Sequence, residues 1–246
     1  MKILGVIPAR YDSQRLPGKP LADILGKSLI LRVYEQAIRA KMPDKIIIAT
    51  DDERIKSECE KSGAECRMTL KSHPSGTDRI AEIMRIYKDF DVYLNIQGDM
   101  PFIPPDYIDI LCNAFQEPDV AIATLVTNCD DESILRSSAS IKVVCDVRGY
   151  ALYFSRSIVP FARSTKPSYL RHIGVYAYTR AALAQISELK PSPLEMAESL
   201  EQLRWLENGM KISVLNVKAD TPSVDTPEDL IYACEYAANL GRFGFQ

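Results

Sequence analysis

The chain has 246 residues, 46% of them apolar, with 30 basic side chains against 33 acidic ones and a net charge of −3. A chain of this length buries roughly 70–75% of the surface its unfolded form exposes, so a core can stabilise it without disulfides or a structural metal. The composition excludes a disordered or collagen-like chain, and the charge balance argues against broad nucleic-acid binding while leaving room for a local basic pocket.

In chain order, Ile3–Ile7 is a continuous apolar run, as expected of a strand covered on both faces. Leu29, Ile30, Val33, Ala37 and Ile38 fall at helical spacing within 27–41, and 45–50 reads as a second buried strand. Asp51-Asp52-Glu53 supplies acid to a helix N-terminus, and that helix ends near Gly63. A short strand over 64–68, a helix from Thr77 to about Lys88, a strand over 92–96, a helix near 105–116 and a strand over 120–126 follow. This βαβα order predicts an α/β fold with a doubly wound, mainly parallel sheet. After residue 128 the pattern changes. Runs at 141–145 and 151–154 flank a turn at Asp146–Gly149, residues 160–171 form a polar excursion with two prolines, and 173–178 is strand-like. Residues 195–208 look helical, 212–217 is the last clear strand, and Thr226-Pro227 opens the final helix. The expected plan is one domain over 1–246 with an inserted β-rich lobe around 130–178.

No apolar run approaches the ~18–20 residues of a bilayer span, and the start Met1–Pro8 is too short for a secretory leader, so a cytoplasmic protein without a membrane partner is expected. The cysteines at 59, 66, 112, 129, 145 and 234 form no Cys-x-x-Cys, and His73 and His172 pair with none of them at zinc spacing. Reduced, packed thiols follow.

Ligands of open α/β sheets gather beyond the carboxyl ends of the strands, which directs attention to the segment Pro8–Pro20 after the first strand. It carries Arg10, Arg15 and Lys19, stiffened by Pro8, Pro17 and Pro20. Fixed cations suit a polyphosphate, Arg as a two-toothed fork and Lys as a point charge; a solvated basic loop is the alternative. No Gly-x-Gly-x-x-Gly follows the strand, which counts against a dinucleotide oxidoreductase. Gly26-Lys27-Ser28 imitates the end of a P-loop, but Leu21 stands where its first glycine belongs, so it reads as a helix start. Asp99, at the end of Asn95-Ile96-Gln97-Gly98-Asp99, and Asp225, before the last helix, either share a Mg²⁺ ion or serve as a turn former and a helix-end charge. Ser75-Gly76-Thr77-Asp78-Arg79 is either a capped helix start or a site where a base approaches the backbone. Arg156, Arg163, Arg171 and His172 place positive charge in the inserted lobe, suiting an acidic substrate. His172 on its own reads equally as a packed structural residue, and His73, beside Pro74, as a surface residue. Glu201-Gln202 is a solvated helix face or a sugar-binding pair.

Taken together and in order, several stretches resemble the CMP-Kdo synthetases (3-deoxy-manno-octulosonate cytidylyltransferases) over nearly the whole chain. They are Ile7-Pro8-Ala9-Arg10 through Arg15-Leu16-Pro17-Gly18-Lys19-Pro20-Leu21, Ala49–Asp52, Ser75–Arg79, Asn95–Asp99, Ala151–Arg156, His172–Tyr178, Leu200–Arg204 and Val224–Asp229. The resemblance implies a nucleotide-diphospho-sugar transferase-like fold. It also implies a homodimer with contacts through the inserted lobe, and the reaction of CTP with Kdo to give CMP-Kdo and pyrophosphate, with Mg²⁺, for lipopolysaccharide assembly. By the same resemblance Arg10 and Lys19, helped by Arg15, hold the triphosphate. Ala9, Ser75 and Arg79 line the cytosine side, with Gln97 between nucleotide and sugar, and Asp99 and Asp225 bind the metal. Arg10, Lys19, Asp99 and Asp225 carry the catalysis. Gln97, Arg156, Arg163, His172, Tyr176, Glu201 and Gln202 are the sugar-site candidates. Met100 departs from the family, which usually has an acid after Asp99, and weakens the case for a third carboxylate. The same reaction on the 8-amino analogue of Kdo, an N-acylneuraminate cytidylyltransferase and a non-catalytic nucleotide-sensing subunit are the rival readings.

Overall fold

The computed structural model describes residues 1–13, 15–165, 167–219 and 221–242. The chain divides into two compact units, residues 1–109 with 221–246, and residues 110–220.

The first unit contains strands β1 (Ile3–Ala9), β2 (Lys45–Thr50), β3 (Cys66–Met68) and β4 (Val92–Asn95), all parallel and ordered β3-β2-β1-β4. Ile3, Leu4, Val6 and Ile7 are all within 1% of full burial, which is why β1 shows no alternation of apolar and polar residues. Helices α1 (Leu29–Ala37), α2 (Glu53–Ser62) and α3 (Gly76–Ile86) link the strands. Asp52 caps α2 by accepting the Arg54 amide at 2.9 Å, and Gly63 ends it with φ at +77°. Helix α4 (Pro105–Asn113) carries the chain from one unit to the other, and α9 (Pro227–Arg242) returns to the first, where Ala233 and Val224 pack with Ile24, Leu29 and Phe102. Between β1 and β4 the strand order reverses direction. Such a switch point opens a crevice at the strands' carboxyl ends.

The second unit pairs β5 (Ile122–Asn128) antiparallel to β8 (Leu170–Thr179) and parallel to β9 (Ser213–Val217). Strands β6 (Lys142–Cys145) and β7 (Ala151–Ser155) form the hairpin expected around Asp146–Gly149, and β6 also pairs with β8. Short helices α5 (Glu132–Arg136) and α6 (Arg180–Ile186) were not foreseen. The helical stretch expected over 195–208 is two helices, α7 (Pro193–Glu198) and α8 (Glu201–Glu207), because Ser199 takes the left-handed conformation at φ +52° and ends the first. All six cysteines are free thiols. No helix among the described residues is long and apolar enough to cross a membrane.

Candidate active site

Two close approaches shape the crevice in the first unit. Gly98 follows β4 so near the end of β1 that a Cβ there would lie 2.7 Å from the Pro8 carbonyl oxygen, and a Cβ on Gly76 would lie 3.3 Å from the Pro8 ring. Glycine at both positions lets the β4 loop and the α3 start crowd the end of β1. The segment after β1 is held by its neighbours: the Arg54 guanidinium lies 3.3 Å from the centre of the Tyr11 ring, and the hydroxyl end of that ring approaches Gly18, whose φ is +70°. Gly18 then starts the single turn Lys19–Leu21, which presents the Lys19 side chain.

A cavity of about 570 Å³ opens here. Its walls include Ala9, Arg10, Arg15, Lys19, Ser75, Arg79, Gln97, Asp99 and Asp225, so every nucleotide and metal candidate of the sequence lines one cavity. Lys19 Nζ stands 3.0 Å from Asp99 Oδ2 and 2.9 Å from Asp225 Oδ1, and Arg15 Nη2 reaches the same Asp225 oxygen at 3.1 Å. The Val224 amide donates to the Asp99 carbonyl at 2.8 Å, which brings the two acids side by side. Asp229 accepts the Asp225 and Thr226 amides at 3.0 and 2.9 Å and holds Asp225 from behind. Burial pushes the Asp99 carboxyl up, opposed by the Lys19 charge. Burial pulls Lys19 down, but the two carboxylates outweigh it and its ammonium is held above the ordinary value.

At the other end Ser75 caps α3, its hydroxyl bonded to Asp78. Arg79, only 3% exposed, points into the protein: Nη2 meets Asp51 Oδ2 at 2.7 Å and Nη1 bonds the Thr69 hydroxyl. Asp51 therefore serves Arg79, and Asp52 alone caps α2. His73, expected at the surface, is mostly buried, lines the cavity and bonds Glu82, which also accepts the Leu70 amide at 2.9 Å. Only its position two residues before Ser75 could have signalled this.

The sugar candidates other than Gln97 belong to the second unit. Arg163 is exposed, and the Arg156 side chain bonds main-chain carbonyls. His172 and Tyr176 lie on β8, where the chain accommodates Gly174 and Val175 as extra residues opposite Thr124 and Leu125. Their rings are 5.3 Å apart, and Trp205 packs edge-on against Tyr176 at 5.1 Å. The Thr124 hydroxyl donates to the Val175 carbonyl at 2.8 Å, so toward His172 Nε2, 2.9 Å away, it acts as acceptor. The proton is therefore on Nε2, and buried Nδ1 is a bare acceptor without a partner among the described residues. Burial pulls this imidazole down to about 3, so the ring is neutral. Gln202 Nε2 and Trp205 Nε1, buried donors on α8, are likewise unpartnered. Sequence reasoning missed Trp205, the chain's only tryptophan. The orphaned His172 Nδ1 and Trp205 Nε1 belong to rings that both pack against Tyr176, a costly arrangement that a polar ligand relieves.

A family model for cytidylyltransferases matches residues 4–212. A 3-deoxy-manno-octulosonate cytidylyltransferase of Parabacteroides distasonis is 47% identical, the match covering 97% of this chain and 99% of that protein. One of Bacteroides thetaiotaomicron is 48% identical with the same coverage. The solved structure of a CMP:2-keto-3-deoxy-manno-octonic acid synthetase complexed with CTP superposes with a TM-score of 0.93 at 41% identity, covering 97% of this chain and 99% of that one. The mostly parallel α/β architecture and these near full-length matches agree, and the chain belongs to the cytidylyltransferase family, among the 3-deoxy-manno-octulosonate cytidylyltransferases.

Proposed function

We propose that the protein joins CTP to the eight-carbon acid sugar Kdo, forming CMP-Kdo and pyrophosphate. The anomeric hydroxyl attacks the α-phosphorus. A new O–P bond forms, the bond to the β-phosphate oxygen breaks, and the hydroxyl proton is lost. The observation that carries this reading is the cavity at the β1–β4 switch point, where cations on one flexed segment face two carboxylates from distant parts of the chain.

Both reactants are anions, so the protein's task is positioning and charge stabilisation. Arg10, Arg15 and Lys19 hold the triphosphate and stabilise charge on departing pyrophosphate. Ala9 and Ser75 line the cytosine side, and Arg79 is held in one orientation there by Asp51 and Thr69. Arg156, Arg163, His172, Tyr176, Glu201 and Gln202, with Gln97, serve the sugar. The orphaned acceptor His172 Nδ1 and donor Gln202 Nε2 suit hydroxyl groups, which give and take hydrogen bonds.

Asp99 and Asp225 fit a divalent cation. Each already has an oxygen on one ammonium, burial of Asp99 makes nearby positive charge favourable, and carboxylate oxygens are the donors Mg²⁺ accepts along with waters and phosphates. Asp99 and Asp225 would hold the ion, and the chemistry it would supply there is neutralisation of charge on phosphate oxygens and a lower pKa for the attacking hydroxyl. A homodimer with contacts through the lobe around 130–178, in the cytoplasm and in the service of lipopolysaccharide assembly, completes the reading.

A pyrophosphate-release assay with CTP and a panel of Kdo, its 8-amino analogue and an N-acylneuraminate tests it. Release with Kdo is expected. Release with the amino sugar alone would change the substrate, and release with none would overturn the catalytic reading.

A further inference from the structure

Glu198, the last residue of α7, gathers three groups of β7 and the residue after it on one carboxylate: the Ser155 hydroxyl at 2.7 Å, the Arg156 amide at 2.9 Å and the Tyr153 hydroxyl at 3.4 Å. Burial works to raise this carboxyl, but those donors outweigh it and hold it below the usual carboxylate range. Glu198 is thus an ionised acceptor whose lone pairs are committed to its own protein.

Arg156 turns back the same way. Its Nε donates to the Glu198 carbonyl at 2.6 Å, Nη2 to the Ser199 carbonyl at 3.2 Å and Nη1 to the Ser138 carbonyl at 2.8 Å. The wholly buried Lys142 donates its three N–H groups to the carbonyls of Arg156, Ser137 and Ser140. A guanidinium forked onto three main-chain carbonyls is shaped as a clamp, since a carboxylate ligand would take two parallel N–H groups from it.

The clamp closes on the junction between α7 and α8. Ser199 holds φ at +52°, a conformation unfavourable for a non-glycine residue that persists where neighbours over-determine it. Two of the Arg156 bonds land on the carbonyls of Glu198 and Ser199 themselves. Helix α8 starts two residues on, with Glu201 and then Gln202, whose Nε2 is the orphaned donor.

We propose that Glu198, acting through Arg156, is a positioning residue for the sugar: the clamp fixes the left-handed turn at Ser199 and thereby the direction in which Glu201 and Gln202 leave it. Arg156 then serves the sugar from behind, as part of the scaffold. This rests on the reading of Glu201 and Gln202 as sugar-binding residues.

Steady-state kinetics with CTP and Kdo tests it. Glu198→Gln and Arg156→Lys are each expected to raise KM for the sugar about 10- to 100-fold while leaving KM for CTP within about twofold. Ser199→Gly, added to Glu198→Gln, is expected to recover at least a threefold part of the loss, because glycine takes the left-handed turn without strain. An unchanged sugar KM in Glu198→Gln overturns the proposal, as does an equal rise in both KM values with a fall in kcat, which marks general loosening. Near-normal sugar KM in Arg156→Lys also overturns it, since charge alone would then suffice. If Glu198→Gln does not fold, Arg156→Lys decides. Glu201→Gln and Gln202→Ala are the controls: if neither moves the sugar KM, the sugar-site reading itself falls, whereas if they move it and Glu198→Gln does not, only the clamp fails.

Discussion

Lys19 and Asp225 are 206 positions apart in the chain and meet through a 2.9 Å hydrogen bond, and the same ammonium reaches Asp99 at 3.0 Å. Two carboxylates brought this close repel unless a cation lies between them. In the protein alone Lys19 is that cation, so it couples the phosphate-binding segment to the acid pair before any nucleotide arrives.

Lys19→Met is therefore expected to have two opposite effects. Turnover is lost, because the triphosphate loses a fixed positive charge. Affinity for Mn²⁺ added without nucleotide rises, because the ion no longer competes with an internal ammonium for Asp99 and Asp225. Calorimetric titration of the variant with Mn²⁺ reads the second effect. Weaker Mn²⁺ binding than in the parent protein would show that the acid pair is not a cation site.

Asp99→Asn separates stability from activity. The folded-state pKa of Asp99 is raised by burial, so the folded protein takes up its proton more readily than the unfolded chain. The ionised form is the one penalised by folding, and that penalty is present above the folded pKa and vanishes below about 3.9, where both states are protonated. The neutral amide escapes the penalty, while Asp225 keeps Lys19 paired. The expected result is an inactive variant with a denaturant midpoint at pH 7 equal to or above the parent's, the difference shrinking by pH 4. A lower midpoint at pH 7 would mean that the Lys19 bond outweighs the burial cost.

The crevice was legible in the sequence because parallel strands buried on both faces appear as unbroken apolar runs, which locates their carboxyl ends without any contact information. Arg10 and Asp99 sit within a few residues of such ends, Lys19 lies on the cationic segment that follows the first of them, and Asp225 stands just before the last helix. Other features depended on partners far away in the chain. Asp51 and Asp52 are indistinguishable in sequence, yet one neutralises Arg79 and the other caps α2. His73 looks like any polar-loop histidine until Glu82, on the next helix, is seen beside it. The break at Ser199 escaped notice because apolar periodicity runs across it, and the bonds from Arg156 that go with the turn come from 43 and 42 positions away.

The Arg79–Asp51 pair is buried on both sides, at 3% and 8% exposure. Removing one charge leaves the other uncompensated in a poorly solvated place, which typically costs about 3–5 kcal/mol. Asp51→Asn is expected to lower the unfolding free energy by that order and to raise KM for CTP, since Arg79 is freed at the cytosine side of the cavity. Urea denaturation and CTP kinetics check both parts. A destabilised variant with normal CTP kinetics would leave the pair a purely structural role.

His172 gives the second unit a pH dependence with a definite sign. Its folded-state value of about 3 lies below the ordinary value near 6.5 that the unfolded chain keeps. Between those values the unfolded chain binds a proton that the folded protein refuses, so stability is complete above about pH 6.5 and declines as pH falls toward 3, by up to about 1.4 kcal/mol per pH unit. The decline follows from the site itself: Nε2 already donates to Thr124, and a proton added at Nδ1 would create a buried charge with no acceptor. His172→Gln removes the titrating ring, so the difference in denaturant midpoint between parent and variant should change steadily from pH 6.5 to pH 4 and stay flat from pH 7 to 8. Parallel curves across the whole range would show that the imidazole is not buried in its neutral form, and the case for Nδ1 as an acceptor awaiting a sugar hydroxyl would go with it.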